Sequence, residues 1–366
     1  RNVAIGFDAL GDQSNAGHVD VYNTAVGYEA GKTVTTGKQN TILGALAGDA
    51  LTTGSHNVAI GYNALGTEDT GNNSTAIGYF ALNKQNYSGS AYNIAIGHSA
   101  GQEVTTGVQN TLIGGFAGDS LTTGSFNTAV GYTALSSEDG DGGNTAIGFA
   151  ALQAQNAGQT AYNVAVGHAA GLALSTGVRN TMIGGLAGDA LTTGSFNIAI
   201  GYTALGAEDA HGRNVAIGYA ALAVQDAGAD AHNVAIGFEA GLSVTTGTFN
   251  TIVGGTAGDA LTTGAANTVL GAEALSAEDT ESFNTAIGSG ALKLQDGGAS
   301  NTAVGRQAGL RVTTGDNNTI VGANAGDDLT TGSNNIIIGK NAAASAVDVS
   351  NEITLGDSNI SAIRAQ

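Results

Sequence analysis

The chain has no cysteine, no proline and no tryptophan in 366 residues. Without cysteine there is neither a disulfide nor a thiolate nucleophile. Basic residues are scarce, 11 Lys plus Arg against 30 Asp plus Glu, for a net charge of −19. That balance argues against nucleic acid as a partner, because its phosphates demand Lys and Arg, and anionic membrane surfaces are disfavoured equally. No apolar run approaches the roughly 20 residues that span a bilayer, so membrane insertion is not expected. No signal peptide is visible. Arg1 opens in mid-pattern, as comparison with "GRNVAIG" at Gly212 to Gly218 indicates, and this predicts an N-terminus further upstream.

What the sequence has in abundance is glycine, 59 residues, and repetition. The phrase Asn-Thr-apolar-apolar-Gly occurs at Asn110 and again at Asn127, and copies of it run along the whole chain. There are 21 units, from Asn2 to one that opens on Glu352. From Asn23 the spacing runs 17, 17, 17, 19, and the cycle restarts at Asn93 and Asn163, which makes a 70-residue super-repeat of four units, A to D. From Asn233 the cycle shortens to 68, because the D unit at Asn284 lacks the two-residue insertion. An unbroken period of this kind marks a repeat architecture and overrides the two or three globular domains that length would suggest.

Positions are numbered here from the leading Asn of each unit. Positions 2 to 4 are β-branched or small, which predicts a short strand, and the Gly at position 5 ends it where a positive φ or a close backbone approach is needed. The patch at positions 6 to 12 fits a second short strand or one helical turn, and it is too short for periodicity to decide. A strand of this length repeating every 17 residues can stack in register on its next copy. The expected fold is therefore all-β, a parallel β-solenoid of about 21 rungs. At roughly 4.8 Å per rung it would be a rod of about 100 Å. The leading Asn suits two readings equally, a ladder of stacked amides and a residue tolerant of turn geometry. Residues 1–340 are expected to form the shaft, with the four-rung super-repeats starting at 23, and residues 341–366 an irregular transition segment that loses the Thr-Thr-Gly turn.

Bulk at positions 3 and 6 is correlated. Most A, C and D units pair Ala at position 3 with a ring at position 6, as in Ala25 with Tyr28 and Ala129 with Tyr132. B units place Ile42, Leu112, Met182 and Ile252 at position 3, and Ala45, Gly115, Gly185 and Gly255 at position 6. The exchange suggests that the two positions share one surface and one volume. A thin, Ala-rich core would gain from further burial, so a homotrimer is expected, joined along Ile42, Tyr62, Leu112, Tyr132, Met182, Tyr202 and Ile252.

Nearly every polar feature recurs, whereas a catalytic constellation is singular, so no enzyme is expected. No cofactor is expected either, apart from a weak Ca²⁺ reading in which Asp49, Glu68 and Asp69, and likewise Asp119, Glu138 and Asp139, would offer oxygen ligands from adjacent B and C rungs. The alternative is a solvated acidic rim that opposes lateral aggregation. The Thr-Thr-Gly columns could build an ice-binding ladder, but segments such as "SSEDGDGG" at Ser136 to Gly143 interrupt it. Exposed Tyr62, Tyr79, Tyr132 and Tyr202 could stack on sugars or pack inside an interface.

Phrases such as "STAIGYFALNKQ" and "NTAVGYTALSSEDG" resemble the shaft repeats of bacteriophage tail fibres and, more distantly, the β-roll heads of trimeric autotransporter adhesins. The closing "NEITLGDSNISAIRAQ", Asn351 to Gln366, is similar to the stretch that precedes the intramolecular chaperone of endosialidase-type phage fibres. The resemblance implies a homotrimeric structural fibre, located on a virion or an extracellular surface, that reaches and attaches to a host-cell glycan or protein. It also implies a self-cleaving chaperone beyond Gln366. A bacterial adhesin or surface filament subunit is the alternative.

Overall fold

Each 17-residue phrase forms one coil of a parallel β-solenoid in the computed structural model, which describes residues 1–14, 20–360 and 362. The chain divides into two compact units, Arg1–Gly185 and Leu186–Gln366. The first carries strands β1 (Val3–Ile5) to β11 (Thr181–Ile183), and the second β12 (Ile198–Ile200) to β21 (Ile353–Leu355). Within each unit every strand pairs in parallel with its successor, position 3 always opposite position 3. Ala59 faces Ala76 and Ala76 faces Ala95 in the first unit, as Ala216 faces Ala235 in the second. The insertion in the D units leaves this register untouched, since Ile77 still lies opposite Ile96.

Position 5 needs glycine for both expected reasons. Gly61 has φ 126°, and a Cβ there would lie 2.5 Å from the carbonyl oxygen of Gly78 on the next rung. Beyond it, positions 6 to 12 form neither a strand nor a helical turn. They run as consecutive turns, with positions 7 and 9 left-handed, as at Asn63 (φ 55°) and Leu65 (φ 54°). A residue in that region reverses the handedness an α-helix would need. No helix occurs among the described residues.

The leading Asn is buried and does two jobs. The Asn110 Nδ2 donates to the Gly124 carbonyl, closing its own coil, while its Oδ1 accepts the backbone N–H of Asn127, tying that coil to the next. The same pair of bonds recurs at Asn40 and at Asn250. At these three rungs the ladder thus runs from amide to backbone; a direct amide-to-amide bond joins Asn180 Nδ2 to Asn163 Oδ1 at 3.3 Å.

Position 3 points into the core of its own chain, which corrects the expected interface. Ile42, Leu112, Met182 and Ile252 have no exposed surface, so they cannot meet another chain. Their bulk is exchanged with position 9 instead of position 6. Position 9 is Gly31 and Gly48 on the A and B rungs but Leu65 and Leu82 on the C and D rungs. A Cβ on Gly31 would sit 2.7 Å from Ile42 Cδ1, so the isoleucine fills the space the glycines leave. Alanines at position 8, such as Ala30, Ala47, Ala64 and Ala81, complete a narrow interior.

The sheet also continues beyond residue 340. Strand β21 pairs with β20 (Ile336–Ile338), and Glu352 takes the place of Asn by donating its N–H to Asn335 Oδ1. The expected boundary at 340 therefore falls before the end of the ladder. Ser361 and residues 363–366 of the closing motif lie outside the described residues.

Candidate interaction face

With position 3 inside, the alternation of a strand puts positions 2 and 4 outside. Position 4 is Ile, Val or Leu throughout the chain, so a half-exposed aliphatic column results: Leu43, Ile96, Ile147 and Ile183 are 36–46% exposed in the first unit. Position 2 adds Thr, Val or Ile beside it, as in Thr111, Val164 and Ile94.

Position 6 lies just past the strand and carries rings. In the first unit Phe7 stacks on Tyr28 at 5.4 Å. A longer run begins at Tyr62, which stacks on Tyr79 at 5.5 Å, and Tyr79 on His98 at 5.1 Å. On the next rung position 6 is Gly115, and Phe116 from position 7 supplies the ring, touching His98 at 5.0 Å and Tyr132 at 5.9 Å. Tyr132, Phe149 and His168 then continue, stacked at 5.9 and 5.2 Å. The aromatic run is unbroken over seven rungs. In the second unit Tyr202, Tyr219 and Phe238 stack in the same way, after which position 6 becomes Gly255, Ala272, Ser289 and Arg306. Tyr62, Tyr132 and Tyr202, expected at an interface, are 44%, 52% and 51% exposed, and Tyr79 is 45% exposed. The face brings these tyrosines together with the position-4 column and leaves the position-3 residues behind it.

The acidic residues proposed for Ca²⁺ are placed otherwise. Among the described residues, three or more potential ligands approach one another within 4.8 Å at a single group, Glu208, Asp209, His211 and Asp226. Asp49, Glu68 and Asp69 form no such group, nor do Asp119, Glu138 and Asp139, because the glutamates point into the core. Glu68 is fully buried at position 12 and accepts hydrogen bonds from the Gly71 and Tyr87 amides and from Gln85 Nε2. Asp69 accepts from the Thr52 hydroxyl. Glu208 is spoken for in the same manner, by the His211 amide and Gln225.

Position 12 therefore reads Val34, Leu51, Glu68, Gln85 through one super-repeat, and a buried Glu–Gln pair replaces two aliphatic side chains. Gln85 in turn accepts from Asn93, linking the pair to the Asn ladder. The periodic Glu and Gln are visible in the sequence at a position otherwise aliphatic, yet charge alone places an acidic residue at the surface. Burial raises the carboxyl pKa of Glu68, Glu208 and Glu278. Glu138 rises furthest, to about 8, through burial and then through the neighbouring Asp141 carboxylate. Burial likewise raises Asp49 and Asp119.

No protein-family model matches the sequence, and no curated protein is similar to it. No helix among the described residues is long and apolar enough to cross a membrane.

Proposed function

We propose that the chain is the non-catalytic shaft of an extracellular fibre, a phage tail fibre that carries an attachment site towards a host surface, assembled as a homotrimer along the position-2, -4 and -6 face. The observation that carries this reading is the face itself: in the first unit positions 2, 4 and 6 carry no Asp, Glu, Lys or Arg and expose an apolar surface, on a chain of net charge −19. Contiguous exposed apolar patches of more than a few hundred Å² mark interaction sites. Six rings of the long run in the first unit, Tyr62, Tyr79, His98, Tyr132, Phe149 and His168, are exposed. At roughly 100 Å² for each half-exposed ring they offer about 600 Å². The aliphatic columns beside them bring the total to the roughly 800 Å² per partner that a stable complex buries. Repulsion among the remaining carboxylates opposes contact along any other side. The number three follows from the resemblance to tail-fibre repeats, as does a chaperone encoded beyond Gln366 that brings the chains into one register.

Light scattering tests the assembly. The intact protein should show about three times the chain mass of 35.8 kDa, and Tyr79→Lys with Tyr132→Lys should reduce it to one chain while the circular dichroism stays unchanged. A folded native monomer refutes the assembly. Comparing the full reading frame with the mass of the mature protein tests the chaperone, whose removal requires a gene longer than its product.

A further inference from the structure

In a molecule built from repeats, a place where a column is interrupted stands out, and the corner residues that precede each leading Asn include two small ones between rings: Ala266 between Phe249 and Phe283, and, with no side chain at all, Gly143 between Phe126 and Tyr162. The last residue of each unit after the opening one, position 17 or, in the D units with the insertion, position 19, is a left-handed corner residue, and rings recur there: Tyr92, Phe126 and Tyr162 in the first unit, Phe196, Phe249 and Phe283 in the second. Where two such rings occupy consecutive rungs they stack, as His232 does on Phe249 at 5.3 Å and 6°. Phe126 and Tyr162 are two rungs apart, and the corner between them is Gly143. One berth in the stack is empty. The corresponding corners of the neighbouring super-repeats carry Asn73 and Arg213, and each is occupied by its own side chain bonded onward, to Ser90 and to Asp230.

The gap opens a groove of about 420 Å³, lined by Thr123, Ser125, Phe126, Gly143, Thr160 and Tyr162, with Gly140 and Gly142 in its floor. That volume lies within the usual range of ligand sites. Phe126 is 64% and Tyr162 59% exposed, so both rings offer bare surface to it.

The floor also lacks an expected hydrogen bond. At position 16 the backbone N–H of one rung is normally capped by the side chain of the next: Lys38 donates to Ser55 Oγ, Ser55 to Asn72 Oδ1, and Val108 to Ser125 Oγ. The Ser125 amide should be capped by residue 142, which is glycine. A Cβ there would stand 3.2 Å from Ser125 N, but no side chain extends from it, and the amide makes no hydrogen bond among the described residues. A donor left without its partner favours a ligand that brings an acceptor.

We propose that this groove binds one neutral pyranose unit of a glycan, seated between the rings of Phe126 and Tyr162, with a sugar hydroxyl accepting from the Ser125 amide and others reaching the Thr123 and Thr160 hydroxyls. A pyranose has the apolar C–H face that stacks on an aromatic ring and an equatorial fringe of hydroxyls that serve as both donors and acceptors. A purely aromatic ligand would fill the berth and leave the amide uncapped. An acidic sugar is opposed by two carboxylates next to the lining glycines in sequence, the exposed Asp139 before Gly140 and the buried Asp141 between Gly140 and Gly142. The inference rests on the fibre reading for its purpose, contact with a glycan-coated surface, and on the groove alone for its location.

Saturation-transfer NMR on the full chain tests it, with maltohexaose, cellohexaose and laminarihexaose as neutral probes and sialyllactose as the acidic one, each at millimolar concentration. At least one neutral probe should receive saturation and sialyllactose none. Gly143→Phe should abolish the signal by filling the berth; the backbone accepts a side chain there, since Phe126 and Phe249 already hold φ 64° and 59° at this position, and the Tyr162 ring, 3.0 Å from where the Cβ would be, has to give way by a few tenths of an ångström. Tyr162→Ala should weaken binding about tenfold, the effect of losing one stacked ring. The proposal is overturned if no neutral probe binds the wild-type chain, or if Gly143→Phe and Tyr162→Ala bind as the wild type does. It is also overturned if Gly143→Phe lowers the mass by light scattering without changing sugar binding, since the berth then holds a ring from a second copy. A trimer that binds no sugar refutes the groove and leaves the fibre reading; a monomer that binds sugar does the reverse.

Discussion

Replacing Asn110 with Ala probes the bond that closes each coil. Asn110 has no exposed surface, and its amide holds two backbone groups, the Gly124 carbonyl at 2.9 Å and the Asn127 N–H at 2.9 Å. Alanine at this site leaves both without a partner in a place water reaches only by opening the coil. An orphaned buried donor or acceptor costs about 1–3 kcal/mol, so the two together cost about 2–6 kcal/mol. Because a solenoid is stabilised by nearest neighbours, the damage should be local. Hydrogen exchange read by mass spectrometry is the suitable assay: the Asn127 amide should lose protection by a factor of about 30 at the lower figure, together with the flanking rungs, while β1 and the first super-repeat exchange as before. Asn110→Asp should behave similarly, since it keeps the acceptor but sets a carboxylate against the Gly124 carbonyl. Thr176→Ala, at an exposed Thr of the turn, is the control and should stay within about 0.5 kcal/mol. If Asn110→Ala matched that control, the Asn would be a turn-tolerant residue only, and the ladder would carry no stability.

Three further outcomes follow from the interior. Ile42→Ala should destabilise by about 2–5 kcal/mol, because it empties the volume above Gly31 and Gly48, and Ile42→Asp should unfold the rung rather than separate chains; chemical denaturation with light scattering distinguishes the two. Gly61→Ala should lose at least about 3 kcal/mol through strain and a broken ladder, whereas Gly158→Ala, whose Cβ would meet nothing within 4 Å, should lose only the roughly 1–2 kcal/mol of a left-handed Ala. For pH, the Glu138 carboxyl titrates near 8 in the folded chain against an ordinary 4.5, so the folded state keeps a proton that the unfolded state releases. Its stabilising share is complete below about pH 4.5 and is lost as pH rises through 8, with a slope of up to about 1.4 kcal/mol per pH unit. Thermal melts between those limits should therefore fall with pH, and less steeply in Glu138→Gln; an equal slope in the two proteins would count against a buried, protonated Glu138.

The period, the strand, the terminating glycine and the parallel stacking were legible because each depends on local residue types repeated many times. The inward direction of Ile42 and Met182 was not. Their covariation with position 6 was real, but position 9, Gly on the A and B rungs and Leu on the C and D rungs, is what shares the core with position 3, and position 6 is constrained separately where it is constrained at all, since a Cβ on Gly255 would meet nothing within 4 Å. At Gly115 the constraint is the Tyr132 ring, 3.3 Å from where a Cβ would be. Two columns that change with the same four-rung period look like one shared volume in a sequence. The buried Glu68 and Gln85 were hidden by composition, since a carboxylate satisfied by Gly71, Tyr87 and Gln85 reads as surface until its partners are placed. The groove at Gly143 was present in the sequence as the segment that interrupts the Thr-Thr-Gly column, and its meaning required knowing that residues 126, 143 and 162 occupy successive rungs of one corner.

Hydroxyl-radical footprinting of the intact, unmodified protein tests the assembly face most directly, because it reports each ring separately in one sample. If the chains meet along positions 2, 4 and 6, Tyr62, Tyr79 and Tyr132 should be protected from oxidation despite being 44%, 45% and 52% exposed in the single chain, while Phe126 and Tyr162 at the corner react freely. Oxidation of Tyr62, Tyr79 and Tyr132 at the rate of Tyr162 would contradict the account.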